Sequence, residues 1–224
     1  MSARPIVHVV DDDEKMRTSL GRLLEAAGHA TALYDSADAF LEAEPCGPGC
    51  LLLDLQMPGK SGVELQEQLA AGASHLPVVF LTGHGDIPTT VKAMRLGAVD
   101  FLTKPANAPA LLGAISRALA RDAEQRASFE RLTTLRERYE TLTPAERVVL
   151  SMVVSGRLNK QIAYDLGRAE RTVKAHRSRV MEKLRANSVA DLVRIADELG
   201  VEPAPPGDEA SAASVPVVSE RSPR

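Results

Sequence analysis

The chain has 224 residues, is 44% apolar and carries a formal net charge of −3. That length suits two ordinary domains or one large one, and no run approaches the ~20 apolar residues that a membrane span needs. The short apolar run ahead of Asp11, Asp12 and Asp13 is too brief for a signal peptide. A cytoplasmic protein without membrane contact is expected, with Cys46 and Cys50 of CGPGC as plain thiols.

Charge is uneven along the chain. Residues 1–120 carry five more acidic than basic side chains, and residues 141–200 carry four more basic than acidic. The two parts are therefore expected to meet different partners.

Residues 1–120 alternate strand and helix signals five times. PIVHVV reads as a strand and is followed by a helix from about Glu14 to Ala27, closed by Gly28. ATALY and SADAFLEA form the next strand and helix, then CLLLDL and GVELQEQLAA. PVVFLT precedes the helix IPTTVKAMRLG, stopped at Gly97, and AVDFL precedes APALLGAISRALA. Regular alternation of this kind predicts a parallel sheet covered on both faces.

Residues 121–140 are rich in charge and contain no Pro or Gly. Leu132, Leu135 and Tyr139 fall at helical spacing, which predicts a linker helix. Residues 141–200 predict four helices. The first opens on a capping box, Thr143-Pro144-x-Glu146, and the last on Ser188-x-x-Asp191. Residues 201–224, rich in Pro, Ser and Ala, read as a disordered tail.

The stretch LLLDLQMPGKSG carries the first chemical signal. Leu51–Leu53 form a buried strand that ends on Asp54, and Pro58-Gly59 then turns the chain. In a doubly wound α/β sheet of order 2-1-3-4-5, sites gather at the carboxyl ends of the strands near the switch point. Asp11 and Asp12 end the first strand and Asp54 the third, so carboxylates from distant parts of the chain converge. Oxygen-only ligands of this kind suit Mg²⁺. Thr82 ends the fourth strand and Lys104 the fifth. A hydroxyl, an ammonium and clustered carboxylates at one rim describe a phosphoryl site with Asp54 as nucleophile. Asp13 is expected at the N-terminus of the following helix, where its charge suits the macrodipole.

The basic segment carries the second signal. Two short helices meet at GRAE, and the later one, RTVKAHRSRVMEKL, is strongly cationic. From Arg168 to Arg185 there are seven basic and two acidic residues. That pattern describes a helix-turn-helix with a recognition helix for double-stranded DNA.

With these residues in view, residues 1–120 resemble the receiver domain of two-component response regulators, and the FixJ-like branch in particular. VVDDDEKMRTSL, LLLDLQMPGKSG and VVFLTGHGDIPTTVKAMRLGAVDFLTKP carry the likeness. The resemblance implies Asp54 as phosphoacceptor and Mg²⁺ held by Asp11, Asp12, Asp54 and the Gln56 carbonyl. It implies Thr82 and Phe101 as a switch pair, and Lys104 as the phosphate-binding cation before a cis Pro105. Pairing of phosphorylated receivers is expected through the fourth helix and fifth strand, with Val91 and Arg95 on that face.

Residues 141–199 resemble the LuxR-type helix-turn-helix through LTPAERVVL, NKQIA and RTVKAHRSRVMEKL. The likeness implies Lys174, Ala175 and Ser178 at base edges, with Arg171, Thr172, Arg177 and Arg179 at phosphates or the groove rim. It implies a dimer contact through Val189, Leu192, Val193 and Ala196. Ala169 departs from the pattern, because relatives usually carry a serine N-cap there.

The reading is therefore a receiver over 1–120, a linker helix over 121–140, a DNA-binding domain over 141–200 and a tail over 201–224. The function expected is a transcription regulator phosphorylated on Asp54 by a sensor histidine kinase, homodimeric when phosphorylated, with RNA polymerase as a further partner. Its own chemistry is limited to accepting a phosphoryl group and losing it again. The alternatives are a DNA-binding protein with an unphosphorylated receiver and an aspartate-nucleophile phosphatase. The phosphatase chemistry wants an acid two residues after the nucleophile, where this chain has Gln56.

Overall fold

Five apolar runs pair into one parallel sheet. In the computed structural model, which describes residues 4–72, 76–83 and 87–205 (backbone only for 87–89), the strands are β1 Ile6–Val10, β2 Ala30–Tyr34, β3 Gly49–Asp54, β4 Val78–Thr82 and β5 Asp100–Thr103. Their order is β2-β1-β3-β4-β5. The helices between and after them are α1 Glu14–Ala26, α2 Ala37–Glu42, α3 Gly62–Ala71, α4 Ile87–Arg95 and α5 Ala108–Glu140.

Side chains alternate across a strand, and both faces here are covered, so nearly every position must be apolar. Val10, Leu51, Leu53, Val78 and Phe80 meet Phe40, Val63, Leu65 and Ala93 from α2, α3 and α4. Val7, Val9, Leu52, Val79 and Leu81 meet Leu20 and Leu24 of α1 and Leu111 and Ile115 of α5.

α5 is one helix of 33 residues. Two compact units divide within it, one ending at Ala127 and the other beginning at Ser128. In the first unit, Asp122 is buried and accepts a hydrogen bond from the Gly49 amide at 3.0 Å. Arg126 pairs with it at 2.9 Å and also donates to the Gly47 carbonyl. This clamp fixes α5 to the amino end of β3.

The second unit adds α6 Pro144–Val154, α7 Asn159–Asp165, α8 Glu170–Leu184 and α9 Val189–Leu199. Its core also contains Leu135 and Tyr139 of α5, so the final turns of that helix belong to this unit's packing. The Thr143–Glu146 capping box is present. At α9 the Ser188 hydroxyl accepts from the Asp191 amide, but the Asp191 carboxylate answers the Asn187 amide instead of that of Ser188.

Two expectations need correction. Residues 201–205 are not part of a free tail. Val201 is 5% exposed in the helical core, and the Ala204 amide donates to the Ser151 carbonyl at 3.0 Å. The remainder of the expected tail, 206–224, lies outside the described residues. Leu192 and Ala196 are buried in the same core, because α9 must use that face to cover α6, and they are not available to a second copy. Only Val189 and Val193, 39% and 42% exposed, present apolar surface from the expected dimer set.

Candidate phosphoacceptor pocket and nucleic-acid interface

β1 and β3 are neighbours in register, Val10 opposite Leu53. Each strand therefore delivers a carboxylate one residue later, Asp11 after β1 and Asp54 at the end of β3. Both are buried, while Asp12 is exposed. Oxygens of Asp11, Asp12 and Asp54 lie within 4.8 Å of one another.

Lys104 closes the rim from the fifth strand. Its backbone amide donates to the Thr82 carbonyl at 2.7 Å, which holds the segment after β5 against the end of β4. Its Nζ lies 2.7 Å from Asp11 Oδ2 and 2.7 Å from Asp54 Oδ2. Thr82 is fully buried at the same strand ends. The Lys104–Pro105 peptide is cis. Phe101 is half-buried, its ring 6.1 Å from that of Phe80.

The electrostatics reflect this crowding. Burial pushes the Asp11 carboxyl above its ordinary value, and the Lys104 bond offsets only part of the rise. Burial works against the Lys104 charge as well, but its bonds to Asp11 and Asp54 prevail and hold its pKa above the usual lysine value. A cation shared between two anions is the expected answer to converging carboxylates.

The loop after Asp54 is shaped by a small residue. A Cβ on Gly62 would sit 2.2 Å from the Asp54 carbonyl oxygen, so the first turn of α3 approaches the β3 end only as glycine. The Gly62 amide donates to the Leu55 carbonyl at 3.0 Å. The Ser61–Glu64 capping box then starts the helix. The Gln56 amide donates to Asp54 Oδ1 at 3.3 Å. Asp13 caps α1, accepting from the Lys15 and Met16 amides.

On α4 of the first unit Val91 and Arg95 are exposed. Met94, also exposed, extends that surface. Its spacing of three from Val91 was the signal in the sequence.

In the second unit α8 buries Val173, Val180 and Leu184. Arg171, Thr172, Lys174, Ala175, Ser178 and Arg179 are left exposed. Arg177 differs: it is half-buried and donates to Asn159 Oδ1 at 3.0 Å, tying α8 to the start of α7. Lys174 is paired with Glu170 at 3.1 Å. Ala169 is the N-cap and supplies no side-chain bond.

Sequence reasoning missed how α8 is anchored. Lys183 Nζ donates to buried Glu146 at 2.7 Å and to the Thr141 carbonyl at 2.8 Å. Burial pushes the Glu146 carboxyl up, but Lys183 and the Thr143 amide and hydroxyl together bring it below its usual range.

A doubly wound sheet with this acidic rim, followed by a helix-turn-helix unit, defines a response regulator. Two family models match the chain, the response regulator receiver domain over residues 7–116 and the luxR family of bacterial regulatory proteins over residues 140–196. The chain belongs to the two-component response regulators of the NarL/FixJ type, transcription regulators that join a receiver to a LuxR-type DNA-binding domain. It is similar to nodulation protein W of Bradyrhizobium diazoefficiens, 45% identical over 201 residues that cover 89% of this chain and 88% of the relative. It is 46% identical over 199 residues to the transcriptional regulatory protein FixJ of Azorhizobium caulinodans, covering 88% and 94%. Among solved structures, the response regulator StyR is 47% identical with a TM-score of 0.78, covering 88% of this chain and all of that one. Full-length FixJ from B. japonicum is 39% identical with a TM-score of 0.55 and covers 88% and 98%.

Proposed function

We propose that Asp54 accepts a phosphoryl group from a sensor histidine kinase and that this event controls DNA binding by α8. The observation that carries the reading is the Lys104 ammonium shared at 2.7 Å between Asp54 and Asp11, two buried carboxylates from different strands.

One Asp54 carboxylate oxygen attacks the phosphorus of a phosphohistidine. A P–O bond forms, the P–N bond breaks, and the electron pair leaves with the imidazole. Lys104 then turns from the Asp54 carboxylate to the new phosphoryl oxygens, and the Thr82 hydroxyl donates to another. With Thr82 drawn inward, Phe101 moves with it, and the surface bearing Val91, Met94 and Arg95 changes shape.

The donor set fits Mg²⁺: Asp11, Asp12 and Asp54 bring oxygens within 4.8 Å of one another, and the Gln56 carbonyl would complete the protein ligands. When bound, Mg²⁺ neutralises phosphoryl oxygens during transfer. The aspartyl phosphate is a mixed anhydride, and its hydrolysis at the same site returns the chain to its starting state.

Phosphorylated receivers pair through the Val91, Met94 and Arg95 surface, and DNA-bound copies meet through Val189 and Val193. α8 enters the major groove with Lys174, Ala175 and Ser178 at base edges and Arg171, Thr172 and Arg179 along the phosphates. Arg177, held by Asn159, sets the angle between α7 and α8. RNA polymerase is the partner expected for a regulator bound at a promoter. Among the described residues no helix is long and apolar enough to cross a membrane. The natural domain limits are a receiver to about residue 127 and a DNA-binding domain that starts within α5.

Intact-mass measurement after incubation with acetyl phosphate tests the reading. Wild type should gain one phosphoryl group, only with Mg²⁺ present, and Asp54→Asn should gain none. Equal labelling of the variant would reject Asp54 as the acceptor.

A further inference from the structure

The second unit carries an open groove of about 400 Å³ on α7, lined by Arg157, Lys160, Gln161, Tyr164 and Asp165. Its wall combines two cations, one carboxylate, one amide and one aromatic ring. Tyr164 is 88% exposed, so a large aromatic ring faces outward from this short helix. Arg157 is paired with Asp165 at 2.8 Å. Lys160 is exposed and makes no ion pair among the described residues.

The chain itself runs to the mouth of this groove. After α9, Val201 is buried in the core and the Ala204 amide is bonded to the Ser151 carbonyl at 3.0 Å. The Pro205 carbonyl accepts a hydrogen bond from Arg157, a residue of the groove wall. Both ends of this five-residue strap are thus anchored, and the second anchor is the groove's own arginine.

The residues beyond Pro205 suit the groove. They run PGDEASAAS, then VPVV. Asp208 and Glu209 are the first charges after the strap. They stand three and four residues beyond Pro205, a reach of at most about 14 Å for extended chain, which covers a groove of this size. Two carboxylates beside a lysine without an ion pair among the described residues, with small and aliphatic residues after them beside Tyr164, match the groove's free cation and its aromatic ring.

We infer that the α7 groove is the seat of the chain's own C-terminal segment, residues 206–224, with Asp208 and Glu209 held by Lys160. The docked segment covers Tyr164 and screens Lys160 from other anions, nucleic-acid phosphate among them. The attraction is between surface charges, so it weakens as salt approaches about 1 M, where the screening length falls to ~3 Å.

The chain contains no tryptophan, so Tyr164→Trp places a single emitter in the groove. The full-length variant should show blue-shifted emission and weaker acrylamide quenching than the same variant ending at Pro205. Adding Asp208→Lys and Glu209→Lys to the full-length variant should return both readouts to the shortened form's values. Hydrogen exchange of the α7 amides in the unsubstituted protein, full-length against ending at Pro205, checks that the tryptophan did not create the contact. Matching emission, quenching and α7 exchange in the two lengths would overturn the inference. So would protection that rises with protein concentration and persists without residues 206–224, because the occupant would then be a second copy.

Discussion

Lys104 and Asp11 show how one missing charge would be felt. Asp11 is almost wholly buried, and its carboxyl is already raised by that burial. A carboxyl whose pKa is raised on folding costs stability once pH climbs through its folded value, and the cost disappears on acidification. Lys104 opposes this. Lys104→Met, in the absence of divalent metal, should therefore lower stability at neutral pH by about 1–3 kcal/mol, the penalty for leaving a buried polar group without its partner. The loss should shrink as pH falls from 8 to 5, and chemical denaturation across that range checks it. A loss equal at both ends of the range would contradict the arrangement.

Glu170 offers a second single-residue test. It holds Lys174 at 3.1 Å; on the face proposed for DNA it would both neutralise a base-reading cation and repel phosphate. Glu170→Ala should raise DNA affinity, most at low salt. Arg179→Ala should weaken all sequences alike and flatten the salt dependence by about one charge, whereas Lys174→Ala should also relax sequence preference. Identical salt slopes for the Arg179 and Lys174 variants, with only preference altered, would reverse the assigned roles.

Two helix ends decide how firmly α8 is held. At its start Ala169 leaves the first amides without a side-chain acceptor. Ala169→Ser should stabilise the second unit by about 0.5–2 kcal/mol, read as a higher melting temperature of the full chain's DNA-binding transition. No change in the melt would mean that a serine there does not reach the α8 amides. At the other end Glu146 is buried and held by Lys183. Its carboxyl lies below its ordinary value. A depressed carboxyl stabilises above its unfolded value, and that stability is lost as pH falls through the folded one. Glu146→Gln should cost about 1–3 kcal/mol at pH 7, and the gap from wild type should close as pH falls below 4. The capping role of Glu146 was legible in the spacing Thr143-Pro144-x-Glu146. Its ion pair was not, because the partner lies 37 residues away and one basic residue among many on α8 carries no local mark. α9 shows a related limit. Leu192 and Ala196 share a helix with Val189 and Val193, and a helix with apolar residues on more than one side does not itself say which side its own core will take.

Across the chain, the sheet and its rim were the most legible parts. Each strand is a short apolar run stopped by a polar residue, and strand order alone brings Asp11, Asp54, Thr82 and Lys104 to one edge. The path of α5 was harder to read. Asp122 sits among many charged residues in 121–140, and only the fold shows that it caps the Gly49 amide while Arg126 secures it. Asp122→Ala should leave Gly49 unsatisfied and lower the melting temperature of the receiver unit, while acetyl phosphate labelling at Asp54 continues. Loss of labelling without loss of stability would show the clamp acting on the pocket instead. The coupling of the two units is tested most directly by DNA retention from a random-sequence pool, with and without acetyl phosphate and Mg²⁺, for wild type and Asp54→Asn. The wild type should retain more DNA, and a narrower set of sequences, when the phosphodonor is present, and Asp54→Asn should show no response. A phosphodonor response of equal size in Asp54→Asn, or none in a wild type shown to be phosphorylated, would contradict control of DNA binding through Asp54.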